Sequence, residues 1–480
     1  MADSSASSSI EKRDTTSVIS TQVDIEDQES RKLLEKKLLR KVDLRLSILV
    51  VIYILNYIDR TNAASARLRG FEDDLGLHGT QFATILAIYF VGYILMQIPS
   101  NMFLNYIKKP SLYLPGSMLA WGVISTLTGA TKNFTGVLIT RFFLGFVEAA
   151  FFPGALLLLA KWYKREELGL RTCVLFCGLL LSIAFGALIA SGILDTMEGK
   201  LGHAAWRWLF FIEGGITCAI AVLAMFILPD FPENSESWLS PAEKALAIQR
   251  MKEDSALGKY HEHVGEYRGM IMALTDWKVW WLALTYAGIL LSVSFNAYFP
   301  TLTATLGYNR TISLLLCAPP SIVVSIASFF HARHSDRTRE RFWHISIPFI
   351  IAIVGYIITM STMNVAARYV GLFLVGQAPA GYICFLAWIS NSIPEPPAKR
   401  SVALALTSAF AQLGAVGGSY IFPKNWGPAY RPSFGISLGA SGFVIVMCYI
   451  FRLHLASLNR KAQEEEDEKG QKEQGYRYIL

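Results

Sequence analysis

Charge is scarce in this chain. Only 17% of its 480 residues are Asp, Glu, Lys or Arg, 53% are hydrophobic, and the mean hydropathy is +0.38; a soluble domain carries about a quarter charged residues. That shortfall excludes an ordinary soluble enzyme, and the polar ends sharpen it, because the first 45 and last 29 residues hold more than a third of the charges. The six cysteines, Cys173, Cys177, Cys218, Cys317, Cys384 and Cys448, all fall inside apolar segments, which leaves no disulfide framework and no zinc site. Cys173 and Cys177, an i, i+4 pair, read as small packing residues. The first 30 residues, rich in Ser and Asp, lack the apolar core of a cleavable signal peptide, so insertion is expected to begin at the first span. The net charge of +7 has no basic domain behind it. Lys and Arg stand in short runs beside apolar segments, which argues against nucleic-acid binding. His261 and His263 sit in a charged loop with no further ligand cluster, so no metal, cofactor or enzymatic constellation is implied.

What the chain does contain is apolar runs of spanning length. They fall at about 44–61, 79–105, 111–129, 134–160, 170–194 and 206–228, then at 277–300, 311–330, 343–361, 368–390, 401–421 and 433–453. Runs of about 20 apolar residues lack the period-2 alternation of barrel strands. The expectation is an all-α membrane protein with 12 transmembrane helices in two pseudo-symmetric six-helix halves. The domains are then a disordered tail with a basic end (1–43), a first half (44–228), a linker (229–276), a second half (277–453) and a charged tail (454–480). Within the linker, Ser240-Pro241-Ala242-Glu243 offers an N-cap, a proline at the first helical position and a capping-box glutamate, so an amphipathic helix is expected there.

Placing both termini in the cytosol puts Lys108, Lys109, Lys161, Lys164, Arg165, Arg171, Arg333, Arg337, Arg339, Arg341, Lys399 and Arg400 in inner loops, as the positive-inside rule requires. Two sequons, at Asn133 and Asn309, then fall on short outer loops as possible glycosylation sites. Prolines in or at the ends of spans, including Pro99, Pro153, Pro319 and Pro379, fit helices bent around a cavity or simple packing kinks.

An ionisable group within a span costs several kcal/mol unless it finds a partner or a wet cavity. Five stand out: Asp59, Arg60, Arg141, Glu148 and Glu213. Arg141 and Glu148, seven residues apart, share one helix face about 10 Å apart. Asp59 and Arg60 fall near the outer end of the first span, where Arg60 snorkelling to headgroups is the plainer alternative. Glu148 is too deep to snorkel; its alternative is a structural pair with Arg141 or Arg60. Glu213, close behind Arg207, reads as an anchoring partner of that arginine. A carboxylate beside an arginine exchanges roles with a substrate anion: an anion that occupies the guanidinium lets the acid take up a proton. That is a physical basis for proton-coupled anion symport. The second half has almost no intramembrane charge and offers neutral groups instead, among them Ser292, Ser294, Asn296, Tyr298, Gln377, Ser390, Asn391, Ser392 and Gln412, expected to read the uncharged body of a substrate or to bond helix to helix.

Taken in order, several segments resemble the major facilitator superfamily, and within it the anion:cation symporter family in its fungal allantoate permease-like branch. They are Asn56-Tyr57-Ile58-Asp59-Arg60-Thr61-Asn62, Gln97-Ile98-Pro99-Ser100-Asn101, Arg141 through Glu148 to Phe152-Pro153-Gly154, Trp206-Arg207-Trp208 to Glu213-Gly214, Ser335-Asp336-Arg337 and Pro397-Ala398-Lys399-Arg400. The resemblance covers almost the whole chain. It implies alternating access of two halves and proton-driven movement of a small organic anion. It further implies that Arg60 contacts a substrate carboxylate, that Asp59 and Glu148 are linked to protons, that Arg141 is the partner arginine, and that Tyr57 and Tyr93 border the site. Two departures stand out. The loop after span 2 has Asn101 and Asn105 followed by Lys108-Lys109 where Gly-x-x-x-Asp-Arg is usual, so only Asp336 and Arg337 after span 8 keep the gating charges; and Gln412 replaces an asparagine near the substrate.

The expectation is therefore a monomeric importer in a lipid bilayer, at the plasma membrane rather than the vacuole, with protons and an organic anion as its partners. An exporter of a carboxylated fungal metabolite is the alternative, and a non-transporting nutrient receptor a further one.

Overall fold

The computed structural model describes residues 29–235, 238–256, 266–393, 397–468 and 477–480. Helices dominate, and among the described residues there is no strand. The first half contains α1 (Ile48–Ala66), α2 (Gln81–Ile107), α3 (Pro110–Gly129), α4 (Phe134–Trp162), α5 (Arg165–Thr196) and α6 (Ala205–Ile227); the second contains α7 (Trp277–Ala304), α8 (Arg310–Thr338), α9 (Phe342–Ser361), α10 (Val365–Ser392), α11 (Pro397–Gly418) and α12 (Arg431–Glu468). Among the described residues eight of these, α4 to α10 and α12, are long and apolar enough to cross a membrane, and α2 and α11 carry shorter apolar stretches. The fold is the expected twelve-helix bundle in two sixes. One local repeat between the halves is the left-handed residue that ends both α2 and α8, Lys108 (φ 56°) and Arg339 (φ 50°).

Asparagine and aspartate start several helices by accepting a backbone N–H in the first turn. Asn133 caps α4 through Gly136 (2.9 Å), Asn309 caps α8 through Ile312 (2.8 Å), and Asp276 caps α7 through Lys278 (2.9 Å). Both sequon asparagines are thus exposed helix caps. Glycine sets the closest helix approaches. A Cβ on Gly145 of α4 would lie 2.0 Å from the Tyr89 carbonyl oxygen of α2, and one on Gly414 of α11 would lie 2.0 Å from that of Ala287 on α7.

Two features differ from the hydropathy reading. The first span does not stop at residue 61: Ala63, Ala64, Ser65 and Ala66 continue α1 as buried helix, because small residues pack well even where the apolar run has ended. Asp59 and Arg60 consequently lie well inside the helix. At the other end, α12 runs through the charged tail to Glu468, and residues 477–480 fold back: Asn459 and Tyr478 exchange two hydrogen bonds (2.9 and 2.8 Å), and the Ile479 carbonyl accepts the Trp388 indole N–H (2.8 Å).

The face that bears the helix over 29–46 and the linker is braced by polar contacts. The linker helix Pro241–Ala256 begins on a reciprocal cap, with Glu243 N donating to Ser240 Oγ (3.2 Å) and Ser240 N donating to Glu243 Oε2 (2.9 Å). Lys41, on the helix over 29–46, donates to both Glu243 oxygens (2.7 and 2.9 Å), and buried Arg250 bridges Glu35 (2.5 Å) and Glu167 (2.6 Å). On the opposite face the halves meet. Thr311 of α8 donates to Asp195 of α5 (2.9 Å), Arg69 donates to both Asp195 (3.1 Å) and Thr311 (3.4 Å), Lys424 pairs with Glu72 (3.5 Å), and Tyr420 donates to Thr84 (3.1 Å). Beneath this seam Arg67 lies over the rings of Phe82 (4.4 Å) and Tyr298 (5.7 Å), joining the second-half core to the ends of α1 and α2.

Candidate functional site

Between the halves lies a cavity of about 270 Å³, lined among others by Tyr57, Arg60, Asn62, Tyr89, Arg141 and Glu213 from the first half, and by Asn296, Tyr382 and Gln412 from the second. Its charged wall is built by three helices. α1 contributes Arg60, α4 contributes Arg141 and α6 contributes Glu213 to the lining, while Asp59 of α1 and Glu148 of α4, two turns from Arg141, are buried behind it.

Of the five charged groups Arg60 is the most exposed. Its Nε and Nη2 both donate to Glu148 Oε1 (3.1 and 3.0 Å), its side chain is 21% exposed, and that of Glu148 is fully enclosed. The guanidinium is packed against three tyrosine rings, Tyr57 (4.6 Å), Tyr89 (4.9 Å) and Tyr93 (5.4 Å), so cation–π attraction holds it in a low-dielectric setting. It is not snorkelling. Arg141 is buried: Nη2 donates to Asn62 Oδ1 (2.7 Å) and Nη1 donates to the carbonyls of Asp59 and Arg60 (both 3.4 Å), which locks α4 onto α1. Asp59 has no exposure and, among the described residues, no cation partner; its two oxygens accept hydroxyl hydrogens from Ser125 (2.8 Å) and Thr217 (2.7 Å).

Glu213 departs from its expected place. Arg207 donates instead to the carbonyls of Gly129 (2.8 Å) and Thr131 (2.7 Å), while Glu213 is buried, lines the cavity, and leaves Oε2 without a hydrogen-bond partner. Six residues turn a helix through about 240°, which sends Arg207 and Glu213 to different faces of α6, so helix geometry itself works against their pairing. Asp336, in the last turn of α8, pairs with Arg341 in the connection that follows (2.6 Å), and Arg337 is exposed, so among the described residues neither is seen bridging the halves.

The neutral groups of the second half divide. Ser294, Asn296 and Gln412 line the cavity. Elsewhere, Ser292 bonds Ser441 (2.6 Å), Tyr298 donates to the Ser419 carbonyl, Gln377 donates to the Phe373 carbonyl (3.2 Å), Ser390 accepts from Arg400 (2.6 Å), and Ser392 donates to the Trp388 carbonyl (2.8 Å). Gln377, Ser390 and Asn391 therefore lie away from the cavity lining: polar residues within helices more often satisfy their own helix or its neighbour than face a ligand. The sequence reading missed Tyr89, four residues before Tyr93 on the same face, a spacing that could have revealed it. It also missed Ser125, Thr217 and Asn62 as partners of the charged groups, for which no sequence signal exists. His261 and His263 fall outside the described residues, as do the side chains of Asn101, Asn105, Cys173 and Cys177.

Comparison with known proteins adds ancestry to this geometry. The family model described as Major Facilitator Superfamily matches residues 49–419. The MFS-type transporter cnsO of Penicillium expansum is 32% identical over 477 residues, covering 93% of this chain and 90% of that protein. A putative tartrate transporter of Agrobacterium vitis is 30% identical over 441 residues, covering 90% and 96%. Among solved structures, a bacterial homologue of the human lysosomal transporter Spinster, in an inward-facing and occupied conformation, aligns with a TM-score of 0.63 at 15% identity, covering 85% of this chain and 95% of that one; at that identity the likeness speaks to fold alone.

Proposed function

This chain belongs to the Major Facilitator Superfamily and is a membrane transporter of that type, and from that premise we propose that it carries a small organic anion together with protons, as a symporter working by alternating access. The observation that carries the reading is the fork of Arg60 on Glu148 at the cavity wall. The cluster holds three carboxylates against two guanidinium groups, so an anion enters at a favourable cost only when carboxylates are neutralised by protons. A protonated Glu148 releases the Arg60 fork, and a substrate carboxylate takes its place. Binding of the anion and binding of the proton then favour one another, which is the reciprocity a symporter needs. Asp59 is the second proton site and Arg141 the fixed positive charge behind it. Tyr57 and Tyr93 hold the Arg60 guanidinium in place, and Asn296 and Gln412 meet the substrate from the second half.

The relative named a putative tartrate transporter supports an organic anion as cargo. The reading includes membership of the anion:cation symporter family in its allantoate permease-like branch, both termini in the cytosol, and a plasma-membrane location. The opposite-face seam then faces outward.

Uptake and efflux by proteoliposomes against a panel of carboxylates, with an imposed pH gradient, test the proposal. Wild type should accumulate a carboxylate when the gradient is inward; Glu148→Gln should lose gradient-driven accumulation while keeping exchange; Arg60→Ala should weaken anion binding with or without a gradient. Accumulation that stays fully pH-driven in Glu148→Gln refutes the coupling role, and unchanged binding in Arg60→Ala refutes the anchor.

A further inference from the structure

The cavity has two unlike walls. Every guanidinium and carboxylate in it comes from the first half, whereas the second half faces them largely with hydrocarbon, including Leu290, Val293, Ala297, Pro300 and Ala415. Along α5, Ile183, Ala187 and Ala190 extend the apolar surface. The few polar groups on the second-half side are partly committed already. Tyr382 shares its hydroxyl with Tyr286 (2.7 Å), and Ser419 donates to the Ala415 carbonyl (2.9 Å). Ser294, whose hydroxyl has no partner, Asn296 and Gln412 remain.

A hydroxyl-rich acid is poorly matched to such a wall, because each hydroxyl taken from water needs a partner inside, and an unpaired one is penalised. A compact apolar body is well matched, because its burial is favourable in proportion to area. At about 270 Å³ the cavity is at the small end of ligand pockets, which suits a single ring or a short branched body rather than a lipid chain. We propose that the preferred cargo is an amphipathic monocarboxylate, with its carboxylate on the Arg60 wall and a ring-sized apolar body against the second half, and that polyhydroxy acids are disfavoured. This inference rests on the anion reading of the same cavity.

Binding to the full chain in lipid nanodiscs, with empty nanodiscs as the blank, separates the two. The probes are 3-phenylpropionate, its neutral amide and tartrate. Phenylpropionate should bind at least about tenfold tighter than tartrate, the scale expected for burying a phenyl face, and the amide should bind much more weakly than the acid. Tartrate binding as tightly as phenylpropionate, or tighter, overturns the inference and leaves the anion reading standing. An amide that binds as well as the acid overturns the anion reading instead, and absence of binding by both acids overturns both. Val293→Thr, nearly equal in volume, places a hydroxyl on the apolar wall and should narrow the phenylpropionate-to-tartrate ratio about fourfold, the equivalent of one methylene, with an unchanged melting temperature as the check on folding. An unaltered ratio in a folded Val293→Thr protein counts against the proposed wall.

Discussion

Truncating Arg60 to alanine removes both donors to Glu148 Oε1, at 3.1 and 3.0 Å, and strands a fully enclosed carboxylate whose Oε2 has no other partner to absorb the loss. Removing one member of a buried ion pair costs about 3–5 kcal/mol, because the survivor keeps its desolvation penalty and loses its compensation. Arg60 is partly open to the cavity, so water softens that figure toward its lower end. On a Glu148→Gln background the same truncation removes only a hydrogen bond to a neutral amide, worth about 1 kcal/mol. The three tyrosine faces are lost in both legs and cancel from the comparison. The four proteins of the cycle should therefore show a coupling of about 2–3 kcal/mol, with the double variant more stable than Arg60→Ala alone. Reversible unfolding in mixed micelles, followed by circular dichroism along a denaturing-detergent titration, measures each leg. A coupling below about 0.5 kcal/mol, the scatter expected for independent sites, would refute the claim that Arg60 and Glu148 form one unit.

Three further outcomes follow from the packing. Gly145→Ala and Gly414→Ala each drive a Cβ to 2.0 Å from a neighbouring helix backbone and should lose about 1–3 kcal/mol by overpacking. Gly439→Ala, with nothing within 4 Å, should be neutral or slightly stabilising; equal melting temperatures for all three would discredit the close approaches. Thr311→Val removes the shared hydroxyl of the opposite-face seam, worth about 1 kcal/mol; spin-label distances across that face should show about fivefold more of the open population, and an unchanged distribution would deny the seam a part in closure. For Glu243, burial favours the neutral acid, but the hydrogen bonds from Lys41 and Ser240 prevail and hold it below its ordinary value near 4.5. With a depressed folded value, its stabilisation is present above the ordinary range and is lost as the pH falls through the folded one. Spin labels on the linker helix and on the helix over 29–46 should keep their separation down to about pH 4.5 and move apart below it, and Glu243→Gln should loosen the pair at neutral pH.

How much of this was legible beforehand differs by level. The twelve-helix bundle follows from hydropathy, because a bilayer leaves few choices for runs of that length. The Ser240–Glu243 cap and the helix-capping asparagines depend on residues three positions apart, so they too can be read along the chain. The end of α1 could not, because Asp59-Arg60-Thr61-Asn62 ends the apolar run although the small residues beyond continue the helix. The five intramembrane charges were found by the cost of placing them in lipid, but their partners were not. Glu213 turns toward α1 rather than Arg207, and the hydroxyls that hold Asp59 come from α3 and α6, which only tertiary packing brings together. The second-half polar residues show the same limit: periodicity gives a face, and the neighbour on that face decides whether a group meets a ligand or a carbonyl.

The seam on the opposite face is made of contacts that water can reach. The Lys424 side chain, paired with Glu72 across the halves, is 75% exposed, and Asp195, which takes the Thr311 hydroxyl across the same seam, is 55% exposed; an ion pair of that kind contributes about 0–1 kcal/mol and a hydrogen bond about 1 kcal/mol. Several together bias the bundle toward closure by about 2 kcal/mol, a ratio near thirty to one. A heavier bolt would become the bottleneck of every turnover, and a weightless one would let the gradient leak. With a bolt of this weight, the binding energy of one small molecule is enough to trip it, and the carrier can cycle on the gradients of its own cargo.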